Sequence, residues 1–237
     1  PLDLSKKNLA ETDAALVDAA MDFLRSPRLV EYILAHIEYL GVVKEESLSI
    51  GLYLLLTSRL LEKPLAGIVL GASSSGKSYI ITTIAKFFPD EAVFQAHRLT
   101  PTALQYLAKG SLVHRAVVAG ERSRNTEDEA AEATRALREM ISDGELRVAV
   151  TGRDGEGNFE TQHITQPGPI SYIESSTLGI NEIFDEDKTR FILLCCNETA
   201  DQNKAVMHHL AVEAENPKQR DDIDSLIALH HLSLIHI

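Results

Sequence analysis

Cysteine is almost missing from this chain. Its 237 residues hold two, Cys195 and Cys196, side by side in "RFILLCCNE". Adjacent cysteines have neither the spacing of a metal site nor the number needed for a disulfide framework. Neighbours on a strand point to opposite faces, so the pair reads as two reduced, mostly buried thiols in a reducing, cytoplasmic compartment. Uninterrupted apolar runs long enough to span a bilayer are absent, which argues against a membrane partner. The N-terminus also lacks the charged-then-apolar pattern of an export signal. Basic residues are scarce: 23 Lys and Arg stand against 35 Asp and Glu, for a net charge of −12. That disfavours a surface coated for nucleic-acid binding, but it leaves room for a local basic element inside a ring or groove. Internal repeats and low-complexity linkers are missing too. The histidine pairs His208-His209 and His230-His231 are adjacent rather than spaced by one helical turn, so they do not read as metal sites.

Both ends look cut. The chain starts at Pro1, and its last six residues, Leu232 to Ile237, resemble the translation of a sequencing-library adapter. We set them aside as read-through, the alternative being an ordinary apolar helix end. On that reading the natural protein continues past residue 231 and begins before residue 1.

What is present suffices for one sizeable core, 44% of residues being hydrophobic. Segment 1–40 reads as helical, with apolar residues at three- and four-residue spacing over 13–40 and a break at Ser26-Pro27. Residues 46–61 form a more apolar, buried helix. "PLAGIVLG" is a central strand and "KSYIITTIAKFF" a helix. "AVFQA" is a short strand, and "TPTALQYLAKG" opens a helix with a Thr cap and Pro in the first turn. "HRAVVAGE" is a buried strand. "EDEAAEATRALREMISDGE" is a helix whose early acids suit its dipole and whose solvated first turn explains the charge run. "LRVAVTGRDGEGNFETQHI" alternates and turns as a β-hairpin over about 145–165. "GPISYIESST" and "RFILLCCNE" are two further strands, and 201–231 starts a C-terminal helical element that the cut at 231 truncates. Strands alternating with helices predict a mostly parallel sheet covered on both faces.

The stretch "GASSSGKS" between the first strand and its helix matches GxxxxGK[ST] in full: Gly71, Gly76, Lys77 and Ser78. Glycines let the backbone wrap a phosphate, while successive N–H groups and the helix N-terminus supply positive potential. The motif makes Gly71, Ala72, Ser73, Ser74, Ser75, Gly76, Lys77, Ser78 and Tyr79 the candidate ATP-binding residues. Lys77 reaches the outer phosphates and Ser78 ligates Mg²⁺. The competing view is a serine-rich turn that spells the motif by chance.

A phosphate loop alone does not distinguish a kinase, a switch or a motor. Glu121, closing the apolar strand of "HRAVVAGERS", is placed to orient an attacking water or to hold the metal through water. Gly120 stands where an Asp usually precedes that acid, so Glu121 would serve both tasks and hydrolysis would be slow. The alternative is an exposed acid paired with Arg122 or Arg124. In additional-strand ATPases the next strand carries a polar γ-phosphate sensor. Ser175, Ser176 and Thr177 compete for that place, with Thr177 preferred and Ser176 second, or a hydroxyl simply caps the strand end. Arg190 in "DEDKTRF" follows a short helix, where an arginine reaching a neighbour's nucleotide would sit. Otherwise it pairs with Asp185 or Glu186.

Together "GASSSGKSYIITTIAKFFPDEAV", "LTPTALQYL", "HRAVVAGE", "ALREMISDGELRV" and "SSTLGINEIFDEDKTRFILL" resemble the AAA+-type ATPase region joined to zinc-finger DNA primases of phages and other mobile elements, over about residues 40–210. The fold this implies is a three-layer αβα P-loop NTPase of the additional-strand kind. It has a central parallel sheet, a β-hairpin insertion, flanking helices and a core over 41–200. The function implied is a ring-forming, hexameric ATPase acting on DNA in replication, with ATP and Mg²⁺ as cofactors. No primase module is present, and Gly120 departs from the pattern at the metal site. In ring helicases of this kind the hairpin points into the pore, where Arg147 and Arg153 would touch single-stranded DNA. Against that, the turn also carries Asp154 and Glu156, and a plain edge-covering hairpin is the alternative. A nucleotide switch or protein remodeller not acting on DNA, and a small-molecule kinase lacking the usual arginine-rich lid, are the competing functions.

Overall fold

In the computed structural model the described residues are 14–96, 103–122, 137–153 and 159–235. The order is α1 (Ala14–Arg25), α2 (Leu29–Tyr39), α3 (Glu46–Thr57), β1 (Ala66–Leu70), α4 (Lys77–Ala85), β2 (Val93–Ala96) and β3 (Arg115–Glu121). Then come a helix α5 described over 137–143, β4 (Glu145–Arg153), β5 (Phe159–Pro167), β6 (Ile170–Ser176), α6 (Asp185–Lys188), β7 (Phe191–Cys195), α7 (Ala200–Glu215) and α8 (Arg220–Ile235).

Five strands form one parallel sheet in the order β2-β3-β6-β1-β7, and β4 and β5 pair antiparallel as a separate hairpin. The central strands read as continuous apolar runs because both faces are buried. Val69, Val118 and Ile173 point into a core shared with α2, α3, α4 and α8, while their neighbours Ile68, Val117 and Tyr172 enter a second core with Leu137, Met140 and Leu146. The result is an α/β fold with a parallel sheet flanked by helices. Among the described residues no helix is long and apolar enough to cross a membrane. The hairpin spans 145–167 with Arg147 opposite Thr165 and Arg153 opposite Phe159. Its turn at 154–158, and the acidic run 127–132 before α5, lie outside the described residues.

Two expectations need correcting. The helix expected at "TPTALQYLAKG" is a single 3₁₀ turn, Ala103–Tyr106, in its described part. The buried Gln166 amide explains the stop: its Nε2 donates to the carbonyls of Leu104, Leu107 and Ala108, acceptors that a continuing helix would use itself. The second concerns the thiols. Cys196 is half-buried and its thiol is pushed up to about 11 by burial, but Cys195 is exposed. β7 is an edge strand, and Cys195 sits on its open face.

Of the terminal residues set aside in the sequence, 232–235 continue α8, where Leu232, Ser233 and Leu234 are buried. One turn earlier the fully buried His230 packs on Phe87, with Tyr53 Oη 3.0 Å from its Nδ1 and His36 Nδ1 2.9 Å from its Nε2. Burial, and secondarily the neighbouring His36 and His231, pulls His230 from its ordinary 6.5 down to about 3. A base depressed in the folded state is neutral there and takes up its proton on unfolding. Its stabilisation is therefore complete above pH 6.5 and is lost as pH falls towards 3. Each pH unit inside that window should cost about 1.4 kcal/mol. Urea unfolding between pH 7.5 and 4.5 checks this, and His230→Gln should flatten the slope.

Candidate functional site

The C-terminal ends of β1, β3 and β6 lie side by side, the place where open parallel sheets present loops to ligands. Leu70 pairs with Ser176, and Gly71 N–H donates to the Ser176 carbonyl at 3.3 Å, so the loop after β1 leaves directly beside the end of β6. Gly71 has no spare room: a Cβ there would lie 2.7 Å from Ser75 Oγ. Ser74 and Gly76 take left-handed backbone, with φ of +64° and +88°. Only glycine adopts this conformation freely, which makes Ser74 a locally strained position.

Gly76 caps α4 without any side-chain acceptor for the helix amides. Among the described residues no acceptor meets the N–H groups of Gly76, Lys77 or Ser78. The helix therefore opens with unsatisfied donors and the positive end of its dipole. Lys77 is buried, and its ammonium donates to the carbonyls of Gly71 and Ala72 at 2.8 and 2.6 Å, curled under its own loop. Ser78, in the first turn of α4, is exposed. Tyr79 donates from its hydroxyl to the Leu40 carbonyl at 2.7 Å, which ties this turn to the segment after α2.

Glu121 closes β3 as an exposed carboxylate, and Thr177 Oγ1, just beyond β6, donates to its Oε1 at 2.9 Å. The β3–β6 register shifts between Val118 and Glu121, so Gly120 lies inside a strand irregularity. Beyond that shift Glu121 stands opposite Ser175. Ser175 and Ser176 are buried, which leaves Thr177 as the hydroxyl brought to Glu121. Arg122 does not pair with Glu121. Adjacent residues at a strand end point to opposite faces, and its guanidinium turns inward to Glu174 and Asp187. Arg124 is outside the described residues. Arg190 is exposed and donates to Ser142 Oγ at 3.0 Å and to the Glu186 carbonyl at 3.3 Å, while Asp185 pairs with Lys188 and Glu186 with Arg138.

Beside the loop opens a cleft of about 640 Å³. Val42, Val43 and Tyr79 line it together with Val206, His209 and Leu210 of α7. Glu45 and Glu198 line it as well. Glu198 accepts from the Ala72 N–H, and Glu45, buried, takes the Asn197 N–H through both oxygens at 3.0 and 3.1 Å. Burial raises the Glu45 carboxyl above its ordinary range, and the Asn197 N–H offsets part of that. The sequence reading missed this cleft and both acids. One signal was available: "NE" comes one residue after the last strand, at the same sheet edge as the loop.

Ser78 and Glu121 are oxygen donors of the kind Mg²⁺ takes, and that ion ordinarily completes its shell with phosphate and water. Among the described residues no group of three His, Cys, Asp or Glu side chains forms a metal cage. Arg147, on β4, is exposed and paired with Glu145. A scan against family models finds no match for the chain, and a search of curated proteins finds none either.

Proposed function

We propose that the chain is a P-loop enzyme that binds and hydrolyses ATP, working as an AAA+-like motor on DNA in the cytoplasm. One observation carries the hydrolytic part. The Glu121–Thr177 pair, 2.9 Å apart, shares a sheet edge with the loop Gly71–Ser78, whose helix amides lack acceptors. The adjoining cleft of about 640 Å³ has the size and the mixed apolar and polar lining of a nucleotide pocket.

The roles follow from position. Lys77 and the amides at the start of α4 hold the β- and γ-phosphates, the ammonium exchanging its carbonyl partners for phosphate oxygens. Ser78, with Glu121 behind it, would hold Mg²⁺, which neutralises phosphate charge when bound. Glu121 accepts a hydrogen bond from the attacking water and orients it. Thr177, bonded to Glu121, reports the γ-phosphate to that acid. Arg190 faces outward to act on the nucleotide of a neighbouring copy in a ring.

The DNA assignment rests on the family resemblance and on the hairpin. Phe159, opposite Arg153 on that hairpin, is 75% exposed. The pairing of Arg147 with Glu145 favours a second reading, a remodeller whose hairpin grips a protein. Phosphate release from Mg·ATP, with and without single-stranded DNA, separates the two. The DNA motor is expected to turn over severalfold faster with DNA, and unchanged turnover would move the assignment to a protein partner.

A further inference from the structure

Behind Glu121 lies a buried ionic relay that neither phosphate binding nor water activation uses. Arg122, the next residue, donates from Nε to Glu174 Oε1 at 2.7 Å and from Nη1 to Asp187 Oδ2 at 2.6 Å. Tyr172 Oη supports Glu174 from the other side at 3.1 Å. Asp187 is fully buried on α6, and its second oxygen takes Arg138 Nε of α5 at 2.7 Å. Burial alone would raise the Asp187 carboxyl, but hydrogen bonds from Arg138 and Arg122 hold it below its ordinary value. Arg138 also reaches Glu186 at 2.8 Å.

These same two helices mount Arg190. Ser142, one turn beyond Arg138 on α5, accepts from Arg190 Nε, and the carbonyl of Glu186, beside Asp187 on α6, accepts from its Nη1. Asp187 therefore fastens α5 to α6 through Arg138, and fastens both to the residue after Glu121 through Arg122. A buried ion network of this kind adds little net stability over apolar packing of equal volume, but charged forks do fix direction and distance.

We propose that Asp187 is a positioning residue. With Arg122 and Arg138 it sets the Arg190 guanidinium relative to Glu121, so that a chain's own catalytic acid and the arginine it offers to a neighbouring copy move as one unit. The inference rests on the reading of Arg190 as acting on a neighbour's nucleotide.

Mixing variants of the purified chain tests it, with phosphate release from Mg·ATP as the readout. Glu121→Gln keeps the arginine mount and loses its own turnover, whereas Arg190→Ala keeps the acid and offers no arginine. Each is expected to be inactive alone. An equal mixture should recover towards about a quarter of the wild-type rate, the share of head-to-tail interfaces that join a working acid to a working arginine. Asp187→Asn should behave like Arg190→Ala: kcat down about tenfold or more, KM for ATP within about twofold, and recovery when mixed with Glu121→Gln. A general loss of folding would not recover. Should Asp187→Asn fail to fold, the surface variant Ser142→Ala decides. Losing one solvent-exposed hydrogen bond, it should lower kcat roughly three- to tenfold with the same recovery and an unchanged melting temperature. If Arg190→Ala recovers while Asp187→Asn or, in its place, Ser142→Ala does not, the inference is overturned and the reading of Arg190 stands. If Arg190→Ala itself fails to recover, the arginine does not act between copies and both fall.

Discussion

Glu121→Gln is expected to abolish turnover while leaving ATP bound. The substitution keeps the shape and an oxygen that can still accept from Thr177 Oγ1, now 2.9 Å from the carboxylate, so the end of β3 should hold its geometry. What disappears is the negative charge that draws a proton of the attacking water towards the strand end. Losses of that kind cost about 10²- to 10³-fold in kcat. Glu121 belongs to neither the loop nor the first turn of α4 and would reach the metal only through water, with Ser78 still in place, so affinity for Mg·ATP should stay within a fewfold of wild type. Removing a negative charge facing the γ-phosphate would, if anything, tighten it. Steady-state phosphate release and a binding titration on the same preparation check both halves. Turnover within about twofold of wild type would remove Glu121 from the chemistry.

Lys77→Ala should have the opposite signature, a loss of binding. The buried ammonium already sits within the loop, 2.8 and 2.6 Å from the carbonyls of Gly71 and Ala72, and needs only to exchange those partners for phosphate oxygens. A charge-assisted hydrogen bond to a phosphate contributes about 3 kcal/mol at most, so affinity should fall roughly a hundredfold and turnover with it. The fold should survive, because the two carbonyls released belong to a loop whose Ala72, Ser73 and Ser74 are exposed, where water can replace the ammonium. Calorimetric titration beside a thermal melt distinguishes a lost ligand from a lost fold. An unchanged affinity would show that nucleotide, if bound, is held elsewhere.

The sheet was legible because its chemistry is local. "AGIVL" and the "AVVA" of "RAVVAGE" are apolar on consecutive positions, as in a strand buried on both faces, and the loop spells its own turn and helix start. Glu121 and Thr177 were legible as strand ends, although their contact was not, since it depends on the β3–β6 pairing and its irregularity at Gly120. Two things escaped for a different reason. The 3₁₀ turn at Ala103–Tyr106 is set by Gln166, 62 positions from Leu104 in sequence, which no local pattern reports. The cleft joins the segment after α2 to α7, and it exists only once β7 has placed Asn197 and Glu198 against Glu45 and the loop. The alternative pairing of Glu121 with Arg122 could have been set aside from the sequence, since strand alternation alone sends the two apart.

The measurement that bears most directly on the account is the release of inorganic phosphate by the wild-type chain as Mg·ATP is raised. The account expects a saturable rate that depends on Mg²⁺ and disappears in both Lys77→Ala and Glu121→Gln. A folded wild-type chain that releases no phosphate above the uncatalysed background, at any ATP concentration and with or without single-stranded DNA, would contradict it.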